Sequence, residues 1–415
     1  MQGAEIRDIA LAQAGQVKID WARAYMPLLN EIRSRFERER PFAGMKIAIS
    51  IHLEAKTAYL AHVLRAGGAQ VYCTGCNPLS TQDEIAAALA QAGFPVYAVH
   101  GADQAQYQHH LACVLSCEPD LILDDGGDLL HLLSTTHAHL GKRVIGGTEE
   151  TTTGVLRMRQ MDQKGTLPFP MIAVNDAECK HLFDNRYGTG QSTMDALMRN
   201  TNLVVAGKQF VIAGYGWCSR GIAMRAKGLG ARVIVTEVNP VRALEAMLDG
   251  FEVMQMDDAA PRGDVFITAT GCKDVIVKRH LLKMKDGVLL CNAGHFDVEI
   301  NKDDLTALAQ RVYERRPNVT AYQLPDGRTL NLLAQGRLVN IAAGDGHPVE
   351  IMDMSFAVQA LSLAYLAKEG KQLERRVYAV PEAIDQQVAH MKVDATGMAI
   401  DTLTREQAEY LGRKA

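Results

Sequence analysis

The sequence has little of what a membrane protein, a nucleic-acid-binding protein or a disulfide-rich secreted protein needs. No apolar run approaches the roughly 18 residues of a membrane-spanning helix, and the formal net charge of -4 gives no basic excess for nucleic acid. The first residues, MQGAEIRDIALAQAGQ, mix charges among apolar side chains, unlike a signal peptide. Eight cysteines in 415 residues, some inside apolar runs such as VLLCNAG, are typical of reduced thiols. We therefore expect a cytoplasmic protein without membrane or nucleic-acid partners.

What the sequence does contain is a repeated alternation of short apolar runs and helical patterns. The run MKIAIS, a helical pattern ended by Gly67 and Gly68, and the run AQVYC have the order of a βαβ unit. A second series of such runs begins near Asn202. One core rarely extends beyond about 250 residues, so the pattern predicts an α/β protein with two Rossmann-like, doubly wound parallel-sheet domains. Within the first series, Thr81 and Glu84 have the spacing of a helix capping box.

A glycine-rich turn, GYGWCSRG, follows the apolar run QFVIA in the second series. Gly214 permits a tight turn and Gly216 lets the backbone approach a pyrophosphate, while Glu237 after the next apolar run can accept a hydrogen bond from a ribose hydroxyl. Such an acid repels a 2′-phosphate, which favours NAD over NADP. Ser219 stands where this fingerprint usually has a third glycine. We interpret the turn as an NAD site, the alternative being a glycine turn without function.

Two acidic clusters follow predicted strands in the first series. Asp124 and Asp125 end the run LILDD, where α/β folds bind ligands, although acids there also serve as loop or helix caps. The segment TEETTTGV combines Glu150 with three threonines, which is a dense set of donors and acceptors and also suits the start of a helix.

Further along the chain, Lys180 and Asp184 are spaced to share one face of a helix, where a plain surface ion pair is the alternative. His295 follows an apolar run of the second series, and His347 lies near the boundary between the two series. Each histidine alone would more often be structural. Together with the acids they predict a substrate site in a cleft between the two domains.

A metal site is disfavoured by the same sequence. The thiol pairs in CTGC and CVLSC, and the histidines of HLLSTTHAH, lie within or beside predicted strands and helices rather than in the loops of structural zinc sites. No GxSxG elbow indicates a serine hydrolase. We predict no metal ion.

Taken together, the ordered segments resemble the adenosylhomocysteinase (S-adenosyl-L-homocysteine hydrolase) family along nearly the whole chain. The matching segments are DIALAQAG, NPLSTQDEIAAALA, LDDGGDL, EETTTGV, ND-x4-K-x3-DN, AGYG, ARVIVTEVNP, ATGCKDVI, CN-x-GHFDVEI, LLAQGRLVN, GHP and LTREQAEYL. The resemblance implies a discontinuous substrate-binding domain (1–185 and 346–380), an NAD-binding Rossmann domain (186–345) and a short helical C-terminal tail (381–415). It also implies a homotetramer, and a reaction in which NAD oxidises the 3′-hydroxyl of the nucleoside and is regenerated within each turnover.

The resemblance also implies roles for individual residues. Lys180 and Asp184 handle the 3′-oxygen, Asp125 and His52 the C4′ proton and the leaving-group side, and His295 the water and the sulfur. Glu54, Lys56, Glu150 and His347 are implied to bind the nucleoside. The implied NAD contacts are Thr151, Thr152, Thr153, Asn185, Gly214, Gly216, Glu237, Thr270 and Asn340.

Three departures from the family pattern affect these expectations. The loop GYGWCSRG replaces the usual GYGDVGKG, and the chain stops at LGRKA, before the family's Lys- and Tyr-bearing extension toward a neighbouring subunit's NAD. The short end resembles the archaeal and thermophilic-bacterial branch. The segment HLEAKT places Glu54 and Lys56 where many relatives face the purine with a threonine and an acid or amide.

Glu54 and Lys56 supply an acceptor and a donor, which suit either adenine or the 6-oxo base hypoxanthine. S-inosylhomocysteine is therefore an alternative substrate, and a helix-start ion pair that merely lines the pocket is the plain alternative. An inactive NAD-binding regulatory homologue and a net dehydrogenase are the rival functions.

Overall fold

The structure, a computed structural model, describes residues 3–412. The strands in chain order are β1 (Ala4–Glu5), β2 (Lys46–Ser50), β3 (Gln70–Thr74), β4 (Val96–Tyr97), β5 (Leu121–Asp124), β6 (Gly146–Glu149), β7 (Met171–Ala173), β8 (Gln209–Ala213), β9 (Arg232–Thr236), β10 (Glu252–Val253), β11 (Val265–Thr268), β12 (Leu289–Asn292), β13 (Arg311–Arg316), β14 (Val319–Gln323), β15 (Thr329–Leu333) and β16 (Val377–Ala379).

Helices connect most of these strands. In chain order they are α1 (Ala12–Ala24), α2 (Pro27–Glu39), α3 (Ala55–Ala66), α4 (Asp83–Gln91), α5 (Gln104–Leu115), α6 (Asp128–Ser134), α7 (Ala138–Gly141), α8 (Thr152–Gln163), α9 (Glu178–Lys180), α10 (Thr189–Thr201), α11 (Trp217–Gly228), α12 (Pro240–Leu248), α13 (Met256–Ala259), α14 (Lys278–Leu281), α15 (Lys302–Leu308), α16 (Val339–Ala342), α17 (Val349–Glu369), α18 (Glu382–Thr396) and α19 (Arg405–Tyr410).

The strands form two eight-stranded sheets, which confirms the predicted fold class. The first sheet has the order β1-β4-β3-β2-β5-β6-β7-β16 and all its pairs are parallel. The second has the order β10-β9-β8-β11-β12-β15-β14-β13, in which only the β13–β14 and β14–β15 pairs are antiparallel. The strand order reverses beside β2 and β5 in the first sheet and beside β8 and β11 in the second. Ligands bind at such reversal points, outside the carboxyl ends of the strands.

Both faces of each sheet are buried, because helices cover them. In β2, Ile47 and Ile49 belong to one apolar core and Ala48 to the core on the opposite face. In β8, Phe210 and Val211 divide between two cores in the same way. This arrangement explains why the strands read as continuous apolar runs rather than as an alternation.

Helix α17 departs from one expectation drawn from the sequence. Among the described residues, Val349–Gln372 is one helix long and apolar enough to cross a membrane by length and composition, and 72% of that window is buried inside the protein. It packs into the core of the first sheet. Its polar residues, including Asp353, Ser355 and Gln359, are buried as well and two of them face the site described below.

The chain crosses from the first sheet to the second through one helical segment. Helix α9 continues into a π-helical stretch, His181–Gly188, and then into α10. A π-helix is rare and often occurs at functional sites. Its i→i+5 spacing brings residues four and five positions apart onto one side.

Two local expectations have different outcomes. The capping box of Thr81 and Glu84 is wrong, because α4 begins at Asp83 and Thr81 Oγ1 donates to the carbonyl of Asn77 instead. In the residues expected to form a C-terminal tail, α18 buries Val388 and Met391 in the core of the first sheet, while α19 is mostly exposed.

Candidate functional site

The predicted site residues of the first sheet come from its carboxyl edge. His52 follows β2, Asp124 ends β5, and Asp125 follows it. Glu150 follows β6 on the neighbouring strand, and Lys180 comes after β7. Because the strands are parallel, their carboxyl ends meet at one edge, and side chains distant in sequence converge there.

A buried cluster surrounds the amine of Lys180. Its Nζ donates to Asn185 Oδ1 at 2.7 Å and lies 3.4 Å from Asp184 Oδ2 and 3.6 Å from Glu150 Oε1. Asn175 Oδ1 accepts from the same amine at 3.3 Å. Lys180 and Asp184 therefore form a buried pair rather than a surface one, and the π-helical spacing adds Asn185 to it.

Two residues of α17 and one of the adjoining loop complete this cluster. Ser355 Oγ donates to Asp184 Oδ2 at 2.8 Å, and Gln359 Nε2 donates to Glu150 Oε2. His347 Nδ1 contacts the other oxygen of Asp184. The uncharged side chains of Ser355 and Gln359, both on α17, thus fix the orientations of the Asp184 and Glu150 carboxylates.

The charges in the cluster perturb one another. Burial by itself lowers the pKa of Lys180, but Asp184 and Glu150 outweigh it and hold that pKa above its ordinary value. Burial would raise the pKa of Asp184, yet Lys180 and His347 hold it well below its ordinary range. Burial raises the pKa of Glu150 to about 8, against the opposing effect of Lys180. Lys180 thus carries its proton here, and Asp184 is its permanent counter-ion.

A second group surrounds Asp125. His52 Nε2 lies 3.6 Å from Asp125 Oδ2, and His295 Nδ1 lies 3.8 Å from Asp125 Oδ1. Cys76 Sγ donates to Asp125 Oδ2 at 3.3 Å. Ser80 Oγ lies 2.6 Å from His52 Nδ1 and fixes the ring. His295 belongs to the second sheet, so this group joins both halves of the molecule.

Burial dominates the protonation of this second group. It lowers the pKa of His52 to about 4 and also lowers the pKa of His295, in spite of the nearby Asp125. Burial raises the pKa of Asp125, although His295 opposes that shift. Both histidines are therefore neutral near pH 7 and can accept or deliver a proton next to a carboxyl group.

Glu149 connects the Asp125 turn with the threonine segment. Its Oε1 accepts from the backbone N–H of Gly126 and of Thr151, each at 2.9 Å, and from Thr151 Oγ1 at 2.9 Å. Thr151 in turn caps α8, where Gly154 N donates to its hydroxyl. Thr152 Oγ1 accepts from Asn175 Nδ2 at 3.2 Å, and Thr153 is half-buried beside it.

Glu54 and Lys56 form a buried ion pair at the start of α3. Lys56 Nζ lies 3.0 Å from Glu54 Oε2, whose carboxylate also accepts from the Lys56 backbone N–H. The same amine donates to the carbonyl of Asp345 at 3.0 Å. The pair stands at the start of a helix, and Lys56 also holds the loop that carries His347.

The glycine turn has the geometry that a dinucleotide requires. Gly214 has a φ of +93°, and Gly216 immediately precedes α11, with no side chain closer than 3.9 Å to the space where its Cβ would be. The Glu237 carboxylate accepts from the backbone N–H of Tyr215 at 2.7 Å and from the backbone N–H groups of Val238 and Asn239. Ser219, where the fingerprint usually has glycine, is fully buried and donates to the carbonyl of Ala269 at 3.0 Å.

Two further predicted cofactor contacts flank this turn. Thr270 follows β11, and both its N–H and its hydroxyl donate to Glu299. Asn340 is buried, its Nδ2 donates to Ser192 Oγ at 3.1 Å, and its Oδ1 has no partner among the described residues. An orphaned buried amide oxygen is costly, and the carboxamide N–H of a nicotinamide would satisfy it. The residues present therefore fit NAD.

Contacts between aromatic and small residues join the turn to the Lys180 segment. The Trp217 ring lies 5.0 Å from the ring of His181, between centroids, and Thr189 Oγ1 lies 3.6 Å from Cys218 Sγ. A Cβ on Gly221 would meet the carbonyl oxygen of Arg186 at 1.7 Å, so only glycine permits this approach. The predicted cofactor site and Lys180 are thus direct neighbours.

Several residues of the site were not predicted from the sequence. Asn175, Ser355 and Gln359 orient the charged groups, and Cys76 had been considered only as part of a thiol pair. The segment ND-x4-K-x3-DN contains Asn175, so its signal was available. Nothing in the apolar pattern of α17 distinguishes Ser355 or Gln359.

The one group within the described residues that comes close enough to hold a metal ion lies in this site. Ligand atoms of His52, Cys76 and Asp125 are all within 4.8 Å of one another. Neither CTGC nor CVLSC brings two thiols together there, since only Cys76 takes part.

Comparison with known proteins matches this arrangement. The family model for S-adenosyl-L-homocysteine hydrolase matches residues 4–140, and the model for its NAD binding domain matches residues 185–346. An S-inosyl-L-homocysteine hydrolase of Methanopyrus kandleri is 57% identical over 98% of this chain and 96% of that protein.

Two adenosylhomocysteinases are nearly as similar. That of Thermococcus kodakarensis is 55% identical over 98% of this chain and 96% of its own length. That of Aquifex aeolicus is 52% identical over 98% of each chain. The chain therefore belongs to the S-adenosyl-L-homocysteine hydrolase family and is an NAD-dependent hydrolase.

Proposed function

We propose that this chain catalyses the reversible hydrolysis of S-adenosyl-L-homocysteine to adenosine and L-homocysteine. The observation that carries the proposal is a pair of buried, unsatisfied acceptors in the same group of charged residues as Lys180. Asp125 Oδ1 and Glu150 Oε1 have no hydrogen-bond partner in the described part of the chain. Ribose hydroxyls are donors that would satisfy such atoms, and Lys180 lies beside Glu150 at 3.6 Å.

NAD, when bound, supplies oxidation of the 3′-carbon and its later reversal. The residues around Lys180 then have a defined task. Lys180 holds its proton because Asp184 and Glu150 flank it. In this proposal Lys180 first passes a proton to the ionised form of Glu150, 3.6 Å away, and the neutral amine then accepts the proton of the 3′-hydroxyl as the 3′-carbon is oxidised. Asp184, held by Ser355 and His347, remains as the counter-ion.

The group around Asp125 would perform the next steps. A 3′-ketone acidifies the neighbouring C4′–H, and Asp125 with the neutral His52 would remove that proton. His295, on the opposite side of Asp125, would receive the proton taken from C4′ by way of Asp125, deliver it to the departing sulfur and then position water for addition. In this proposal the steps need both sheets, because His52 and Asp125 belong to the first and His295 to the second.

The second candidate substrate is S-inosyl-L-homocysteine, because a relative 57% identical to this chain is an S-inosyl-L-homocysteine hydrolase and the Glu54–Lys56 pair can also hold a 6-oxo base. Lys56 Nζ uses two of its hydrogens on Glu54 and Asp345, so one remains for an acceptor such as O6 of hypoxanthine. Glu54 Oε1 could then accept from N1–H of the same base. With adenine, Lys56 Nζ would instead donate to N1, and Glu54 Oε1 would accept from the N6 amino group.

Purified protein mixed with adenosine and L-homocysteine, without added NAD, tests the proposed reaction. We expect loss of free thiol. Lys180→Ala should abolish that loss, while Lys142→Ala, which changes an exposed lysine outside the site, should not. Turnover that consumes added NAD stoichiometrically would instead indicate a net dehydrogenase. Full activity in Lys180→Ala would contradict the role given to this residue.

The preferred base is tested by comparing kcat/KM for adenosine and inosine, each with L-homocysteine. A preference for adenosine of about a hundredfold would contradict a shift toward the 6-oxo base, because a wrongly paired buried polar edge costs discrimination of that order or more. Lys56→Met should change the ratio of the two values if the amine contacts the base.

We also propose the domain division, the assembly and the location of the protein. Residues 1–185 and 346–380 would bind the nucleoside thioether, residues 186–345 would bind NAD, and residues 381–415 would form the C-terminal tail. The protein would act as a cytoplasmic homotetramer. Light scattering of the eluted protein tests the assembly, and a monomer mass would contradict it.

A further inference from the structure

A cavity of about 270 Å³ opens next to the Asp125 group, between the two halves of the molecule. Cys76, Tyr107, Asp128 and Arg157 line it from the first half, and His295 and Arg337 line it from the second. At roughly 30 Å³ for each water molecule, this space holds several waters. It is therefore large enough for the amino-acid end of a thioether.

The cavity is continuous with the proposed reaction centre. Two of its lining residues contact Asp125: Cys76 through Sγ at 3.3 Å and His295 through Nδ1 at 3.8 Å. In the proposed function, His295 is the residue next to the sulfur. The atoms attached to that sulfur, on the side away from the nucleoside, would extend from His295 into the cavity.

One wall of the cavity already has its charges paired. Arg157 Nη1 lies 2.9 Å from Asp128 Oδ1 and also donates to the carbonyl of Gly126 at 2.7 Å. Tyr107 donates its hydroxyl to the other oxygen of Asp128 at 2.9 Å. Asp128 is therefore fixed in place, and a carboxylate oxygen has lone pairs for further donors.

The opposite wall presents a cation without such a partner. The Arg337 guanidinium makes no hydrogen bond or ion pair within residues 3–412, although it is half-buried. Asp297, which also lines the cavity and lies near enough to be affected by the charge of Arg337, is paired with Lys302 instead. A planar guanidinium is suited to binding a carboxylate through two parallel hydrogen bonds.

The backbone that presents Arg337 is strained and firmly held. Ala334 and Gln335 have φ values of 48° and 55°, which residues with a Cβ rarely adopt, and Gly336 follows at 76°. Strain of this kind persists where the surroundings fix it, often at ligand clamps. The buried Asn292 provides that support, since its Nδ2 donates to the carbonyls of Phe296 and Gly336, each at 2.9 Å. Asn292 thus fixes the turn of His295 and that of Arg337 together.

We propose that this cavity is the subsite for the amino-acid end of the thioether, in which Arg337 binds the α-carboxylate and Asp128 accepts from the α-ammonium. The proposal rests on the proposed function. It explains why charges of both signs line a small cavity beside the sulfur position, since an amino acid presents one charge of each sign.

Thiol specificity in the synthetic direction tests the subsite. L-homocysteine is compared with aminopropanethiol, which lacks the carboxylate, and with sulfanylbutanoate, which lacks the amine, at saturating adenosine. In Arg337→Gln the ratio of KM for aminopropanethiol to KM for L-homocysteine should fall about tenfold, which is the effect expected from loss of one charge-assisted contact. Asp128→Asn should instead lower the ratio for sulfanylbutanoate. Arg337→Lys should restore part of the first ratio.

Arg311→Gln, an exposed change on β13, is the matched control and should leave both ratios as in the unmodified protein. Ratios unchanged in Arg337→Gln, with thiol still consumed, would overturn the subsite and leave the proposed function standing. No thiol consumption by the unmodified protein with any of the three would overturn the proposed function, and the subsite with it. Because ratios are compared within one variant, a general loss of folded protein cancels.

Discussion

Asp385, in the C-terminal part of the chain, stabilises the start of the helix that carries Lys180. Its carboxylate accepts from the backbone N–H of Glu178 at 2.7 Å and of Cys179 at 2.9 Å. Helix α9 has no side-chain cap of its own. Asp385→Ala removes this cap and leaves the buried Cys179 N–H without a partner. From the usual range for a lost N-cap we expect a loss of about 2 kcal/mol in the free energy of unfolding.

A loss of this size corresponds to a fall in Tm of about 4–8 °C for domains of this size. Because Lys180 lies one residue after Cys179, the change should also shift its amine. Displacement of a catalytic group by about 1 Å can cost a hundredfold in rate, so we expect kcat to fall about tenfold, with a smaller effect on KM. The assay is thiol loss well below the Tm. The control is Asp394→Ala, an exposed change on α18, the helix that also contains Asp385.

A lower Tm with an unchanged kcat would contradict the positioning role given to Asp385. Asp385 would then stabilise the fold without positioning Lys180. An unchanged Tm would show that the cap itself contributes nothing. Asp385→Asn retains one acceptor and should give an intermediate loss of both stability and rate.

Three further predictions concern charge, packing and the cofactor turn. Burial raises the pKa of Glu150 from 4.5 to about 8, so the folded state holds a proton that the unfolded state releases in this range, and stability should fall as pH rises between these values. In Glu150→Gln that pH dependence should be weaker, by about 1.4 kcal/mol per pH unit at most. Parallel stability curves of the two proteins would contradict it. Gly221→Ala should destabilise the protein by about 1–3 kcal/mol, because its Cβ would lie 1.7 Å from the Arg186 carbonyl oxygen, whereas Gly228→Ala, with open space around its Cβ, should not lower the Tm. Trp217→Phe should weaken retention of NAD, measured as its dissociation rate during gel filtration; a rate equal to that of the unmodified protein would show that the contact of Trp217 with His181 is unimportant.

Local sequence patterns predicted the fold and the glycine turn, because their causes are local. The apolar runs follow from burial of both faces of each sheet, and the positive φ of Gly214 needs a glycine whatever surrounds it. The residues expected at the site do lie together, because the carboxyl ends of parallel strands meet. Their individual catalytic and binding roles stay predictions.

Contacts between distant segments could not be predicted in the same way. Cys76 donates to Asp125, and Gln359 donates to Glu150 from α17, a helix whose apolar sequence is typical of a buried core helix. The predicted capping box failed for a similar reason: Glu84 forms an ion pair with Lys18 at 2.6 Å instead. Asp385 caps α9 across more than 200 positions of sequence, and no local pattern indicates such a partner.

In the proposed mechanism, the NAD of this protein is reduced by the nucleoside itself and regenerated within the turnover. Purified protein is mixed with adenosine, and separately with adenosine that lacks the 3′-hydroxyl, while the absorbance of reduced nicotinamide is followed without added NAD. We expect a rise in absorbance with adenosine, no rise with the 3′-deoxy nucleoside, and no net reduction after complete turnover with L-homocysteine. An equal response to both nucleosides, or thiol consumption in Lys180→Ala at the unmodified rate, would contradict it.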